Sequence, residues 1–223
     1  MATEIRAEAL PSLRAAAGEE GKEWLLARTV SKYEGLYREH MPSLIEEIHG
    51  IAEGARMSYP YAFYAATRDC MRMDGCTSFV ASGGHTEGGR VLMGQTKDTE
   101  APLERFRIMR IVYGTGREMV VLNYPGWIGN LSLTSDGMCF TENSLYGARP
   151  GQRTTPGSFL KRLIMERSSV QEVLNTVRGM SFENGCYTIA DRSGHVVCLE
   201  CVSGKVGLRD ISGRAAGHAN SVL

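Results

Sequence analysis

The spacing of apolar residues along the chain changes character once, near residue 77. From Lys22 to Glu39, Trp24, Leu25, Val30, Tyr33, Leu36 and Tyr37 fall on one helical stripe. Pro42 then opens a second helix, Ser43 to Glu53, with Leu44, Ile45, Ile48 and Ile51 as its apolar face and Gly54 as its stop. A third helical stretch is predicted from Pro60 to Arg72. From Thr77 the runs become short and β-like: TSFVAS and RVLMGQT flank GGHTEGG, a hairpin turn. Further strands are predicted at Phe106–Tyr113, Glu118–Asn123, Gly129–Thr134, Met138–Glu142, Gly185–Asp191 and His195–Cys201. Between them Pro156 to Val177 reads as one or two helices, Ser168 capping the second. The last strand-like segment ends at Ser203, and Gly204 to Leu223 offers no further element. A helical layer on hairpin-built sheets makes this an α+β fold.

Composition narrows the partners more than the fold. The chain has 223 residues, 43% hydrophobic and 22% charged, with 25 basic and 25 acidic side chains. That balance offers no basic field for nucleic acid or anionic lipid. No apolar run reaches membrane-spanning length and the N-terminus lacks a compact apolar leader, so a soluble, cytoplasmic protein is expected. The six cysteines are scattered among strand-like segments, Cys198 and Cys201 of CLEC lying on one strand. A zinc ribbon or a disulfide framework is disfavoured, and no metal or cofactor is expected.

The segment MDGCTSF sets Cys76 at the helix-to-strand switch, directly after Gly75. A lone strand cysteine is ordinarily packing material. A thiol that must become a chain terminus, however, needs a helical segment before it, a residue without a side chain on its N-side and a strand after it. The Cys76 thiol can attack the Gly75 carbonyl, which glycine exposes, and hydrolysis of the thioester then frees the Cys76 amine. An α-amine titrating at roughly 7.7–8.0 beside a thiol near 8.5 supplies its own general base, so no histidine partner is required.

Taken in order, IEEIHGIAEGARMSYPY, DGCTSF, GGRVLMGQTKD, GMCFTENSL and GHAN resemble the acyl-CoA:6-aminopenicillanate acyltransferase family, autoproteolytic N-terminal-nucleophile enzymes related to the choloylglycine hydrolases. The resemblance runs from about Pro42 to the C-terminus. It implies a four-layer αββα sandwich, cleavage at Gly75–Cys76, a helical prosegment over 1–75 and the first part of a catalytic domain over 76–223. It also implies that Asp98 of GQTKD hydrogen-bonds near the nucleophile, that Asn143 of FTENSL donates to an oxyanion, and that Asn220 of GHAN sits beside the tetrahedral intermediate. The motif departs from the family at Thr96, where asparagine is usual, and at Lys97, where an aromatic is usual. Competing readings stay open: Asp98 as a solvated loop acid, Asn143 as a turn asparagine and Asn220 as a loop residue.

The expected activity is hydrolysis of a small-molecule amide or acyl donor through an acyl-thioester on Cys76, or transfer of that acyl group, with a CoA thioester as an alternative co-substrate. Cleavage would leave an α/β heterodimer. The family's chains continue well past the asparagine matched by Asn220, so an incomplete sandwich is expected, with an uncovered sheet edge, exposed apolar surface and a tendency to self-associate. Two other readings differ in class: an unprocessed, non-catalytic binding or scaffold protein, and an uncleaved thiol enzyme pairing Cys76 with His85 or His218. His218 is otherwise read as a supporting residue, and Ser158 as a helix-start residue because it lacks a nucleophile elbow.

Overall fold

A computed structural model describes residues 2–67, 75–98, 106–146, 149, 151 and 154–222. The described residues before Gly75 are helical: α1 (Ala2–Ala17), α2 (Lys22–His40), α3 (Pro42–Gly54) and α4 (Tyr59–Thr67). Helix α1 has no counterpart in the sequence prediction. Its buried stripe, Ile5, Ala9 and Leu13, is thin and small-sided, and it is a helix because it packs on Ala55, Ala65 and Tyr64. Pro42 opens α3 as predicted. The predicted third helix extends to Arg72, and residues 68–72 lie outside the described residues.

From Cys76 the chain builds two sheets. Strands β1 (Cys76–Gly83) and β2 (Gly89–Lys97) form a hairpin, and β10 (Ala215–His218) pairs with the other edge of β1. The second sheet runs in chain order through β3 (Arg107–Val112), β4 (Glu118–Asn123), β5 (Ser132–Thr134), β6 (Cys139–Asn143), β7 (Gly185–Ala190), β8 (Val196–Val202) and β9 (Lys205–Asp210), antiparallel throughout. Helices α5 (Gly157–Glu166) and α6 (Val170–Val177) join α2, α3 and α4 on one face of it, where Phe140, Tyr187, Ile189 and Leu199 meet Phe159, Leu163 and Val173. The opposite face meets the three-stranded sheet through Val80, Cys186, Val196, Cys198 and Ile211.

The α+β sandwich expected from the sequence is therefore present, as one helical layer over two stacked sheets among the described residues. The three-stranded sheet turns Phe79 and Leu92 outward, 56% and 55% exposed. On the seven-stranded sheet, alternation from buried Met119 and Val121 sends Val120, its partner Leu133, and Ile108 and Val112 to the face opposite the helices, and all four are exposed.

Two predictions are corrected. Strands do not end at Ser203: Ser203 and Gly204 both take positive φ, the backbone of a tight two-residue hairpin, and β9 returns along β8. Strand β10, AAGH, carries no β-forming residue and is a strand because β1 supplies its partner. The chain crosses between sheets just before it, where a Cβ on Gly83 would come within 2.8 Å of the Gly213 Cα. The cap of α6 is Ser169 rather than Ser168: its Oγ accepts from Glu172 N at 3.2 Å, and the Glu172 carboxylate reaches back to Ser168 N at 2.9 Å. A cap needs its acid three residues on, which selects Ser169.

Behind β6 the helix-facing Glu142 pairs with Lys161 of α5 at 2.9 Å, the side chains 4% and 2% exposed, with the Lys161 ammonium 5.7 Å from the Trp127 ring centre. A charge pair this deep is costly to halve. Lys161→Met is expected to lower unfolding free energy by about 3–5 kcal/mol, and Lys161→Met with Glu142→Leu to recover most of that loss. Urea denaturation of the two variants measures both; equal losses would show that the carboxylate does not depend on Lys161.

Candidate active site

Strand register assembles the site. In the hairpin Cys76 pairs with Lys97, which carries the ladder on to Gly75 and Asp98. The Asp98 N–H donates to the Gly75 carbonyl at 2.8 Å. On the other edge Ser78 pairs with His218, so two residues further Asn220 comes opposite Cys76. Its Oδ1 accepts from the Cys76 N–H at 2.9 Å, and its Nδ2 donates to Ser144 O at 2.8 Å. The peptide bond between Gly75 and Cys76 is thus gripped from both neighbouring strands, its carbonyl on one side and its N–H on the other.

The seven-stranded sheet supplies the third contact. Asn143 ends β6 fully buried, and its Nδ2 donates to Cys76 O at 3.1 Å and to His218 O at 3.3 Å. Its Oδ1 accepts from the Ser78 hydroxyl at 2.6 Å. Both amide hydrogens are committed to main chain, so an incoming oxyanion would have to displace one of these bonds. In this state Asn143 staples β6 to β1 and β10.

Cys76 is 1% exposed, on the β1 face that also buries Ser78 and Val80. Burial pushes its thiol above the ordinary value, opposed by the Lys97 charge and a hydrogen bond from Gln95. Gln95 also clamps the Glu142 main chain: its Nε2 donates to Glu142 O, and its Oε1 accepts from Glu142 N at 3.0 Å. The Asp98 carboxylate overlies Gly75, where an added Cβ would come within 2.5 Å of its Oδ2. An alanine at 75 would therefore require the Asp98 carboxylate to move.

The predicted residues Gly75, Cys76, Asp98 and Asn220 meet at the Gly75–Cys76 peptide bond, and Asn143 holds the next carbonyl, that of Cys76. Sequence reasoning left out Ser78, Gln95 and Lys97 as site residues. Ser78 is two residues from Cys76, hence on the same strand face; Lys97 lies opposite Cys76 in the hairpin; Gln95 belongs to the motif that gave Asp98. The two departures from the family pattern separate in space. Thr96 is opposite Thr77 on the exposed face, whereas Lys97 shares the face of Cys76.

The histidines stand apart from this chemistry. His218 is buried, with Nδ1 2.6 Å from Ala219 O and Nε2 3.2 Å from Glu200 Oε1. His85 lies in the β1–β2 turn, roughly 20 Å along the hairpin from Cys76. Ser158 is buried at the start of α5, donating to Thr67 O at 2.5 Å and 3.0 Å from the Tyr37 hydroxyl. Among the described residues no cluster of His, Cys, Asp or Glu could hold a metal ion, and no helix is long and apolar enough to cross a membrane.

Fold and site together define an α+β two-sheet sandwich with a cysteine at the first residue of its β1 strand, the peptide bond before it held from both neighbouring strands and the carbonyl after it held from the second sheet. No family model matches the chain, and no curated protein matches it. Solved structures similar to it include a mutant conjugated bile acid hydrolase from Clostridium perfringens, at 14% identity over 66% of this chain and 54% of that one, with a TM-score of 0.47. Penicillin V acylase from Agrobacterium tumefaciens is 12% identical over 63% and 43% of the two chains, TM-score 0.36. A second variant of the Clostridium hydrolase is 10% identical over 69% and 47%, TM-score 0.35. The chain spans about half the length of these structures. Likenesses this distant carry no chemical argument, which rests on the geometry of the site.

Asn143→Ala is expected to destabilise the fold by about 2–4 kcal/mol, because it strands the buried Ser78 hydroxyl and two carbonyls. Thr96→Ala, on the exposed face, should stay within about 0.5 kcal/mol of wild type. Thermal and urea melts of both test the asymmetry; a tolerated Asn143→Ala would remove the staple.

Proposed function

We propose that the chain is a cysteine N-terminal-nucleophile amide hydrolase that activates itself by cutting Gly75–Cys76. The observation that carries this reading is the grip on that bond. Asp98 N–H holds the Gly75 carbonyl, Asn220 Oδ1 holds the Cys76 nitrogen, and the thiol belongs to the same residue.

The thiol sulfur adds to the Gly75 carbonyl carbon, whose oxygen charge falls on the Asp98 N–H. Collapse breaks the C–N bond, the nitrogen keeps the electron pair and takes the thiol proton, and a thioester remains. One water hydrolyses it, leaving a Gly75 carboxylate, the free thiol and the Cys76 amine. Asn220 Oδ1 accepts from the nitrogen before and after cleavage. Departure of Gly75 vacates the Asp98 N–H, a donor aimed where a substrate carbonyl must sit when the same sulfur attacks it. An acyl group loaded onto Cys76 then leaves to water, or to an amine if the enzyme is a transferase, with a CoA thioester serving as donor in that variant. In this reading residues 1–75 are the prosegment, 76–223 carry the nucleophile, and the processed protein is a heterodimer of the two.

Intact-mass and N-terminal sequencing test the central step. Wild type is expected to yield pieces 1–75 and 76–223, with Cys76→Ala remaining one chain. A Cys76→Ala protein that still cuts after Gly75 would sink the proposal; a wild type that stays whole, with no amidase activity, would point to the non-catalytic binder. Asp98→Asn should fold but turn over more slowly, because it loses the charge beside the nascent amine; undiminished activity would remove Asp98 from the site.

The thiol also sets a pH expectation. Burial raises the pKa of Cys76 in the uncut chain, so the thiolate fraction, and with it the cleavage rate, should keep rising with pH through and beyond the ordinary thiol range. A rate that levels off near pH 7 would show that cleavage does not draw on this thiolate.

A further inference from the structure

A pair of thiols lies between the sheets, outside the machinery described above. Cys186 of β7 and Cys198 of β8 sit on adjacent strands, offset by one diagonal step, since Cys186 pairs with Glu200 and Thr188 with Cys198. Their sulfurs are 3.1 Å apart. Both belong to the apolar cluster between the sheets, Cys186 fully buried and Cys198 7% exposed. The CLEC spacing itself is not the pair: Cys201 points into the helix-side core, so Cys198 and Cys201 lie on opposite faces of β8.

The two sulfurs differ in access. Cys198 lines a small partly open cavity of about 30 Å³ together with Ser78, Thr188, Arg209 and His218. That is room for a water-sized molecule. Cys186 lies behind it. The hydrogen bond from Cys186, with His218 and Arg209 nearby, holds Cys198 below the ordinary thiol value, while the same bond and burial push Cys186 up. The member that lines the cavity is thus the better thiolate, and its neighbour sits where a resolving thiol must be.

We propose that Cys186 and Cys198 form a peroxide-oxidisable pair that closes to a disulfide across β7 and β8. The Cys198 sulfur attacks one oxygen of hydrogen peroxide and breaks the O–O bond. The departing hydroxide takes the Cys198 proton and leaves as water, and Cys198 becomes a sulfenic acid. The Cys186 sulfur then attacks the Cys198 sulfur, the S–O bond breaks, and the hydroxyl leaves with the Cys186 proton as a second water. The sulfurs close by about 1 Å to reach bonding distance. Cys186 pairs with Asn143 in the β6–β7 ladder, so the bond forms one strand from the amide that staples Cys76.

This proposal does not depend on the proposed activity, and its test does not measure it. The reduced 223-residue protein, as wild type and as Cys76→Ala, is treated with hydrogen peroxide, alkylated in denaturant and digested without reductant. Mass spectrometry is expected to find a peptide linking Cys186 to Cys198, lighter by two hydrogens than its parts and released by dithiothreitol. Cys186→Ser should abolish the link and leave Cys198 over-oxidised; the wild-type map decides the question alone if that variant does not fold. Both cysteines recovered alkylated and separate, at a peroxide dose that oxidises the exposed Met109, would overturn the proposal. So would a bridge from Cys198 to any other cysteine.

Discussion

The hydrogen-bond ladder on the two edges of β1 is the constraint on which the candidate site depends. One edge brings Asp98 to the Gly75 carbonyl and the other brings Asn220 to the Cys76 nitrogen. Because side chains alternate with a period of two, a slip of one residue on either edge would turn the site inside out. Register here is protected by what β1 buries: Cys76, Ser78, Val80 and Ser82 face the second sheet, and Thr77 and Phe79 face outward. The close approach of Gly83 and Gly213 pins the far end of the same strands.

Asn143 links this ladder to the second sheet, and its position has a cost. A fully buried amide is tolerable only with its donors and acceptor paired, and here Cys76 O, His218 O and the Ser78 hydroxyl pair all three. One residue earlier Glu142 turns to the other side of β6 and meets Lys161 among the helices. Strand β6 therefore carries a polar network on each face at adjacent positions. Each fixes its own layer: Lys161 ties α5 to the large sheet, and Asn143 ties the small sheet to it.

Much of the strand content was legible because hairpins announce themselves. Runs such as Glu118–Asn123 and Gly185–Ala190 alternate or are continuously apolar, and Arg192-Ser193-Gly194 is the turn from β7 to β8. What escaped were elements whose burial comes from partners. Helix α1 shows only three large or small apolar positions to the core, and β10 is alanine, alanine, glycine and histidine. Cys76 was read from the helix-to-strand switch after Gly75, and Asp98, Asn143 and Asn220 were named from a motif resemblance. Their meeting around Cys76 needed the register, as did Lys97 and Gln95, since no local pattern says which strand lies beside which.

The burial of the site also explains how the fold accommodates the Cys76 thiol. Cys76 is closed from solvent, its thiol held neutral by burial, and its main-chain N–H and C=O both satisfied by side-chain amides. A neutral, fully paired cysteine is an ordinary core residue. Its geometry sets it apart: the Asp98 N–H holds the carbonyl of the glycine before it, and Lys97 puts a positive charge on the same face, which favours the thiolate. On the proposed reading, the thiol is held protonated and the Asp98 N–H and the Asn220 amide are in place before the sulfur reacts.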